Sequence, residues 1–345
     1  MGATATLMGF VGAAYGFTQT VCRVPLGVFV DIFNLHKKMI VTGAVLSCVS
    51  GLGIFITFSP AGFLIFRACA GLASATWLCF TVTYSGYYPK EESSNAMSMI
   101  ISANHIGKLV GFLIVGTLAA SMRNAFLISS AGGVAAIILS LFVKPPPAGG
   151  QKYAFKDFIP VVKNKNLIMS AVLALIVHFI MFSTTYQFSP IILINLGADT
   201  FILAAVNIVT LSVLILSAVS AGKFLTKRFG EKNLLLFGLA CLAVYAVGAG
   251  FAKNLAQMFA LSVVAGLGEG FSIPMLTGLC IRDIEREKRS TAMGIFSAVY
   301  GIGMTVGPVI TGVVTDAFNM RTAFVAIGLL AAASLIWSYK NVDTG

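Results

Sequence analysis

Residues 201–221 read FILAAVNIVTLSVLILSAVSA, a run of 21 residues without a charged side chain. A helix of about 20 apolar residues is long enough to cross the hydrocarbon core of a bilayer. Ten further runs of this kind occur at 7–30, 39–58, 61–86, 96–118, 123–143, 167–188, 233–251, 255–280, 292–314 and 322–339. None of the runs alternates with the period of a strand, so the sequence predicts an all-α, polytopic membrane protein.

The composition excludes most soluble functions. Hydrophobic residues make up 58% of the chain and charged residues only 10%. A water-soluble domain has no way to bury this much apolar surface, whereas lipid solvates it. The six cysteines all lie in apolar runs without a Cys-x-x-Cys pair, so they are interpreted as small hydrophobic residues. The sequence predicts no metal site and no cofactor.

Basic residues orient the predicted helices. One set of loops and the C-terminal tail hold 17 of the 23 lysines and arginines, from Lys37 to Lys340, and the opposite set holds only Arg123, Lys253 and Arg321. The positive-inside rule makes the first set cytoplasmic, and with it the C-terminus. The net charge of +11 is then explained by orientation and by anionic lipid, and no nucleic-acid partner is expected. We expect a multi-pass protein of the cell membrane.

The longest interruption lies between residues 144 and 167. It opens with three consecutive prolines at 145–147 and continues with scattered lysines, a composition typical of a linker. The sequence therefore predicts an N-terminal bundle at 1–144, a cytoplasmic linker at 145–166 and a C-terminal bundle at 167–345.

The two predicted bundles resemble each other at a nearly fixed offset. Ala70-Gly71-Leu72 recurs 195 positions later as Ala265-Gly266-Leu267, and Arg123-x-Ala-Phe recurs 198 positions later from Arg321. Gly107, Gly111 and Gly116 recur 196 positions later as Gly303, Gly307 and Gly312. The counterpart of run 167–188 would fall before Met1. We therefore expect a unit of six helices plus six with its first helix absent from this sequence; the alternative is a genuine eleven-helix protein.

A glycine, an aspartate and a basic pair follow the first run, in residues 27–38, GVFVDIFNLHKK. This segment resembles the signature between the second and third helices of the major facilitator superfamily, although Ile32 and Asn34 depart from the usual residues. The resemblance extends over essentially the whole chain and implies two pseudo-symmetric bundles. It also implies a cytoplasmic gate that is formed by Gly27, Asp31, Lys37 and Lys38. Arg23, one turn before Gly27, is assigned to the same gate.

Two further motifs resemble this family. Arg67-x-x-x-Gly71 is similar to a motif on the fourth helix, where the arginine faces the central cavity and is linked to proton coupling; the alternative is an arginine that reaches outward to the interface. Gly303-x-x-x-Gly307-Pro308-x-x-x-Gly312 resembles a glycine-proline motif that belongs on the fifth helix of proton antiporters. Here it lies on the eleventh, and the fifth-helix copy with Gly107 and Gly111 lacks the proline. We expect these glycines and Pro308 to serve helix packing.

Ionisable groups inside a membrane are costly and are therefore candidates for function. Among the acidic residues only Glu269 lies deep, and Arg67 and Lys108 are the deep cations. Polar residues expected to accompany them are Asn104 and His105, on the same helical face as Lys108, together with His178 and Asn207. Glu269 is predicted to carry a coupled proton, or else to form a structural ion pair. His178 has a packing role as its alternative.

These residues predict a secondary transporter that works by alternating access, is coupled to protons and moves a small solute, with an organic anion held by Arg67 and Lys108 as the leading hypothesis. The alternatives are a proton-driven exporter of hydrophobic compounds and a non-transporting receptor or truncated remnant. The sequence has neither an His-Glu-x-x-His nor a Gly-x-Ser-x-Gly motif, and no glycine-rich phosphate loop, so neither an enzyme nor ATP drive is expected. The expected partners are the substrate, lipid and protons, and a monomer is expected.

Overall fold

The computed structural model describes residues 4–33, 35–88, 93–119, 121–144, 163–284 and 289–342. Within these ranges it leaves out the side chains at positions 24, 27–29, 31, 32, 85, 93–98, 101, 102, 222, 223 and 289–291. Most of the predicted linker, residues 145–162, lies outside the described residues.

Every regular element of the described ranges is helical, which confirms the predicted all-α fold. In chain order the helices are α1 (Ala5–Phe33), α2 (His36–Thr57), α3 (Pro60–Ala75), α4 (Trp77–Ser85), α5 (Ser93–Leu118), α6 (Met122–Leu141), α7 (Lys165–Met181), α8 (Ser189–Asn195), α9 (Thr200–Ser220), α10 (Thr226–Gly250), α11 (Leu255–Ile281), α12 (Arg289–Ala317) and α13 (Met320–Asn341). Two π-helical segments, Phe182–Phe188 and Ala221–Leu225, lead into α8 and α10.

Three of the eleven predicted runs differ in detail from the observed helices. The third run is divided at Thr76 into α3 and α4. The run 167–188 was predicted too short, because α7, the π segment and α8 form one span of 31 residues, Lys165–Asn195. Pro190 does not end this span, since a proline is tolerated in the first turn of α8. Helix α10 starts seven residues before its apolar run and bends at Gly230, where φ is 77°.

Nine helical spans of the described part of the chain are long and apolar enough to cross a membrane. Between 17% and 61% of each span's apolar window is buried inside the protein. The remaining surface carries large apolar side chains such as Leu216, Phe224 and Leu329, each more than 60% exposed. Lipid rather than water is the solvent that accommodates such a surface. The chain is therefore a multi-pass membrane protein.

The chain groups into two compact units, of which one contains residues 14–152 and the other residues 2–13 together with 153–345. In the first unit, α2 packs against α3 and α6. In the second unit, α10 packs in the same way against α11 and α13, while α7 packs against α12. The domain boundaries predicted from the sequence stay predictions.

The internal repeat predicts contacts as well as sequence matches. A Cβ atom added at Gly71 would collide with the hydroxyl of Thr18 and the carbonyl of Tyr15. One added at Gly266 would lie 2.5 Å from the carbonyl of Thr210 and 2.8 Å from Cβ of Val213. Each residue of the second set follows its counterpart by 195 positions. In both units a glycine thus allows two helix backbones to approach closely, which is how small residues stabilise helix pairs in membranes.

The repeated arginines also occupy similar positions. Arg123, at the start of α6, donates from Nε to the carbonyl of Phe55 at 2.8 Å, at the carboxyl end of α2. Its guanidinium lies over the rings of Phe55 and Phe58, 5.1 and 5.8 Å from their centroids. Arg321, at the start of α13, lies 4.8 Å over the ring of Phe251 at the end of α10. Both cations therefore lie where the helix dipole favours positive charge.

Candidate functional site

Glu269 is fully buried at the middle of α11 in the second unit. Its two neighbours are glycines, and both allow another helix to come close. A Cβ atom at Gly270 would collide with the hydroxyl of Ser217 on α9, and one at Gly268 would lie 2.8 Å from Leu242 on α10. The two glycines have no side chains, so α9 and α10 pack closely against α11 next to Glu269. The pattern Gly-Glu-Gly therefore buries the carboxylate between three helices.

The carboxylate has a hydrogen-bond donor on a third element. The phenol of Tyr186, in the π segment Phe182–Phe188, donates to Oε2 of Glu269 at 2.9 Å. Burial of a charge without such partners costs several kcal/mol, so a buried carboxylate either takes a donor or binds a proton. Tyr186 supplies such a donor. The predicted proton-carrying role of Glu269 stays a prediction.

Aromatic rings continue from this carboxylate along α7 to α12. The ring of Tyr186 lies 5.2 Å from that of Phe182, which stacks on His178 at 6.5 Å. His178 in turn stacks on Tyr300 of α12, with ring centroids 4.1 Å apart and an interplanar angle of 11°. Tyr186 is 44% exposed although its hydroxyl contacts a buried group. We call Tyr300, His178, Phe182 and Tyr186 the aromatic row.

His178 belongs to this row and has a defined tautomer. Its Nδ1 lies 2.8 Å from the carbonyl oxygen of Ala174, one turn earlier on α7. A carbonyl oxygen only accepts hydrogen bonds, so Nδ1 carries the hydrogen and Nε2 is the acceptor in the neutral ring. The predicted proton-carrying role of His178 stays a prediction.

Asn207 and Arg67 have partners on nearby backbone or rings. Asn207 donates from Nδ2 to the carbonyl of Leu203 at 2.8 Å, on its own helix α9. Arg67 of α3 lies in the first unit, where its guanidinium is 5.3 Å above the ring of Tyr15. This cation–π contact stabilises the guanidinium of Arg67 within its membrane span. The role of Arg67 in coupling stays a prediction.

The predicted polar face of α5 is partly exposed. Asn104 and His105 are partly buried, and Lys108 is exposed. A Cβ atom added at Gly107 or Gly111 would meet no described atom within 4 Å. The predicted packing role of these two glycines, and the role of Lys108 in binding an anion, therefore stay predictions.

The predicted cytoplasmic gate is described only in part. Gly27 and Asp31 lie on α1, but their side-chain positions are outside the described set. Lys37 donates from Nζ to the carbonyl of Leu141 at 2.8 Å and so caps the carboxyl end of α6. Lys38 is exposed, and Arg23 is partly buried on α1. The gating role of this segment stays a prediction.

The glycine-proline motif of α12 contacts two helices of its unit. A Cβ atom at Gly303 would collide with the carbonyl of Leu175, and one at Gly307 would lie 2.8 Å from the carbonyl of Phe179, both on α7. Gly312 faces the carbonyl of Ala5 at the start of α1, and Gly9 faces the carbonyl of Pro308. These are close backbone contacts, and the packing role predicted for the motif stays a prediction.

A carboxylate fixes the beginning of α1 at the same place. Asp316, near the end of α12, accepts hydrogen bonds from the backbone N–H groups of Ala5 and Thr6, at 2.8 and 2.7 Å. The first N–H groups of a helix have no partner within the helix, so a carboxylate there acts as a cap.

The structure brings together Glu269 and His178 through the aromatic row, within the second unit. Arg67, Asn104, His105 and Lys108 belong to the first unit. Sequence reasoning missed Tyr186, Phe182 and Tyr300, because aromatic residues in apolar runs give no pattern of their own. The signal that could have found Tyr186 is a polar ring in the middle of a span, next to a second polar residue, Gln187.

A sequence profile described as the Major Facilitator Superfamily matches residues 1–251 and 215–344. A multidrug resistance efflux pump PmrA homolog of Lactococcus lactis is 25% identical over 320 residues, covering 89% of this chain and 78% of its own. An uncharacterized transporter of this type from Methanocaldococcus jannaschii, MJ1560, is 25% identical over 362 residues, covering 99% of this chain and 91% of its own.

Solved structures share the fold. A mutant form of the nucleoside transporter NupG superposes with a TM-score of 0.82 at 14% identity, covering 97% of this chain and 90% of its own. A D-xylose-proton symporter superposes with a TM-score of 0.77 at 16% identity, covering 98% and 88%. At these identities the likeness concerns the fold alone.

Proposed function

The chain belongs to the major facilitator superfamily, and on that premise we propose that it exports hydrophobic aromatic compounds across the cell membrane in exchange for protons. Glu269 carries the proton, and the aromatic row contacts the compound. The chain is a transporter by family, so the proposal concerns its substrate and its coupling. The observation that carries it is the contact between the buried carboxylate of Glu269 and the phenol of Tyr186.

The chemistry of the row favours aromatic substrates. Flat rings offer offset-stacked or edge contacts to another ring, and these contacts do not require one fixed hydrogen-bond pattern. A positively charged compound would also be attracted to ring faces and to the ionised carboxylate. The efflux pumps among the similar proteins support export, since the Lactococcus lactis relative is named a multidrug pump.

Protons and compound would then compete for one site. When Glu269 is ionised, the site attracts a cationic or amphipathic compound; when it is protonated, that attraction is lost and the compound leaves. With alternating access, a proton gradient would drive the compound outward. The competing hypothesis of an organic anion bound by Arg67 and Lys108 stays a prediction.

Proteoliposomes with an imposed pH gradient test this proposal. Ethidium, a planar aromatic cation, serves as the transported probe, and its movement is followed by fluorescence in the presence of internal DNA. We expect Glu269→Gln to abolish the movement that depends on the gradient. Glu231→Gln is the matched control, because Glu231 is a carboxylate near the start of α10 that is paired with Arg282. Full gradient-driven movement in the Glu269 variant would refute the proposal.

A further inference from the structure

The π segment Phe182–Phe188 interrupts an otherwise continuous span between α7 and α8. A nearby proline accounts for its π-helical backbone. Pro190 has no N–H group, so the carbonyl of Tyr186, four residues earlier, loses the donor that an α-helix would provide. π-Helical turns hold one more residue per turn than α-helical ones and are frequent at functional sites. The side-chain contacts of this segment are therefore of interest.

Two consecutive side chains of this segment reach different helices. Tyr186 donates to Glu269 on α11 at 2.9 Å. Gln187 donates from Nε2 to the carbonyl of Met8 on α1 at 2.6 Å, and a Cβ atom at Gly12 would lie 2.6 Å from the side-chain oxygen of the same glutamine. Residues 2–13 belong to the same unit as the π segment. One short segment thus connects the buried carboxylate to the beginning of α1.

Two described side chains form hydrogen bonds with the backbone at the beginning of α1. Asp316 accepts from the N–H groups of Ala5 and Thr6, and Gln187 donates to the carbonyl of Met8. Close backbone contacts at Gly9 and Gly312 lie beside them. A change in the position of Gln187 would remove one of these two attachments.

We propose that the π segment couples the protonation of Glu269 to the beginning of α1, with Tyr186 and Gln187 as positioning residues. A phenol bonds more strongly to a carboxylate than to a neutral carboxyl group, because charge-assisted hydrogen bonds are the stronger ones. Ionised Glu269 therefore holds Tyr186, and with it the π segment and Gln187. Protonation weakens this contact and releases the beginning of α1. The inference rests on the proposed role of Glu269 as the proton carrier.

Amide hydrogen exchange of the full chain in detergent, read by mass spectrometry, tests the coupling. We expect Glu269→Gln to raise exchange of residues 5–12 by about tenfold, the ratio between a charge-assisted and a neutral hydrogen bond. Tyr186→Phe and Gln187→Met each remove a hydrogen bond and should raise this exchange by a similar or larger factor. The double variant Glu269→Gln/Tyr186→Phe should exchange no faster than Tyr186→Phe alone, because both substitutions act through one hydrogen bond. Tyr300→Phe, which alters the far end of the aromatic row, is the matched control and should leave these residues unchanged.

The pH dependence distinguishes coupling from a merely structural contact. After correction for intrinsic exchange, protection of residues 5–12 should fall in the wild type as Glu269 takes up its proton. In Glu269→Gln it should be flat over the pH range in which Asp316, the carboxylate that binds the N–H groups of Ala5 and Thr6, stays ionised. The titratable groups that the described residues place near Glu269 include Tyr186, Tyr245 on α10 and, along the aromatic row, His178. The ring of Phe182 lies between His178 and Tyr186, so His178→Asn should keep the pH dependence of the wild type.

Two outcomes overturn the inference. One is unchanged exchange of residues 5–12 in Glu269→Gln. The other is a uniform rise that includes α13, since that would be general destabilisation rather than a local release. Gradient-driven ethidium movement is measured on the same variants reconstituted in proteoliposomes and tests the proposed function separately. If Glu269→Gln loses gradient-driven movement but exchange of residues 5–12 is unchanged, the result supports the proposed export and refutes the proposed coupling.

Discussion

The repeated glycines of α5 and α12 give a matched pair of substitutions. Gly303→Ala places a methyl group against the carbonyl oxygen of Leu175, with the Leu175 carbonyl carbon and the Phe179 nitrogen both 3.0 Å away. These are backbone atoms, so α7 and α12 have to move apart. Gly107→Ala, at the position 196 residues earlier, meets no described atom within 4 Å.

The magnitude follows from the difference between the two variants. Alanine is a better helix former than glycine by about 1 kcal/mol at either position, so this contribution cancels in the comparison. Overpacking costs about 1–3 kcal/mol, and only Gly303→Ala incurs it. We expect the free energy of unfolding of Gly303→Ala to be lower than that of Gly107→Ala by about 1–3 kcal/mol, measured by reversible unfolding in mixed micelles of SDS. Equal values would refute the reasoning, because they would mean that α5 has a close neighbour at Gly107 or that α7 yields at no cost.

Three other substitutions test further parts of the structure. Gly71→Ala and Gly266→Ala should each lower the free energy of unfolding, relative to Gly107→Ala, by about 1–3 kcal/mol, and a loss at only one of them would contradict the structural repeat. Arg123→Ala and Arg321→Ala should each cost about 1 kcal/mol in the same assay, through lost hydrogen bonds or cation–π contacts at the ends of α2 and α10; a neutral Arg123 variant would contradict its capping role. Lys108→Ala should leave gradient-driven ethidium movement unchanged, whereas loss of organic-anion uptake in this variant would favour the anion carrier.

The fold was predictable from the sequence because a spanning helix has a length and a composition that few other structures share. The eleven apolar runs all became helices. Two features of α10 could not be predicted from apolar runs. Its first turns are too polar to belong to such a run, and its bend at Gly230 depends on a backbone angle. The repeat was predictable to the level of single contacts, because Gly71 and Gly266 meet residues that are themselves 195 positions apart.

The candidate site was predictable only where a residue is costly in a membrane. Glu269 could be singled out because an intramembrane carboxylate demands a reason. Its donor Tyr186 could not, because many tyrosines lie in spans and only the π turn directs this one to α11. The predicted run 167–188 ends just before Pro190, which lies in the first turn of α8, so the segment that connects Glu269 to α1 stood at the end of the predicted helix.

Positions at which the two halves of the internal repeat carry different residues are candidates for function. Arg67 and Ser74 lie seven residues apart on α3, and the offset of 195 aligns them with Ser262 and Glu269 on α11. Seven residues are two turns, so each pair lies on one face of its helix. The glycine between the two residues of each pair, Gly71 or Gly266, is kept in both units. The charged positions differ: the first pair has a cation, Arg67, at its first position, and the second pair has an anion, Glu269, at its second position.

A tyrosine on another element accompanies the second position of both pairs. The phenol of Tyr15 contacts the hydroxyl of Ser74 at 2.9 Å, as that of Tyr186 contacts Glu269. The two tyrosines are not themselves related by the repeat, because the residue 195 positions after Tyr15 is Thr210. The repeat therefore keeps the packing glycine and differs at its charged positions, and a charge within a membrane-spanning helix is a candidate for a role that packing alone does not explain.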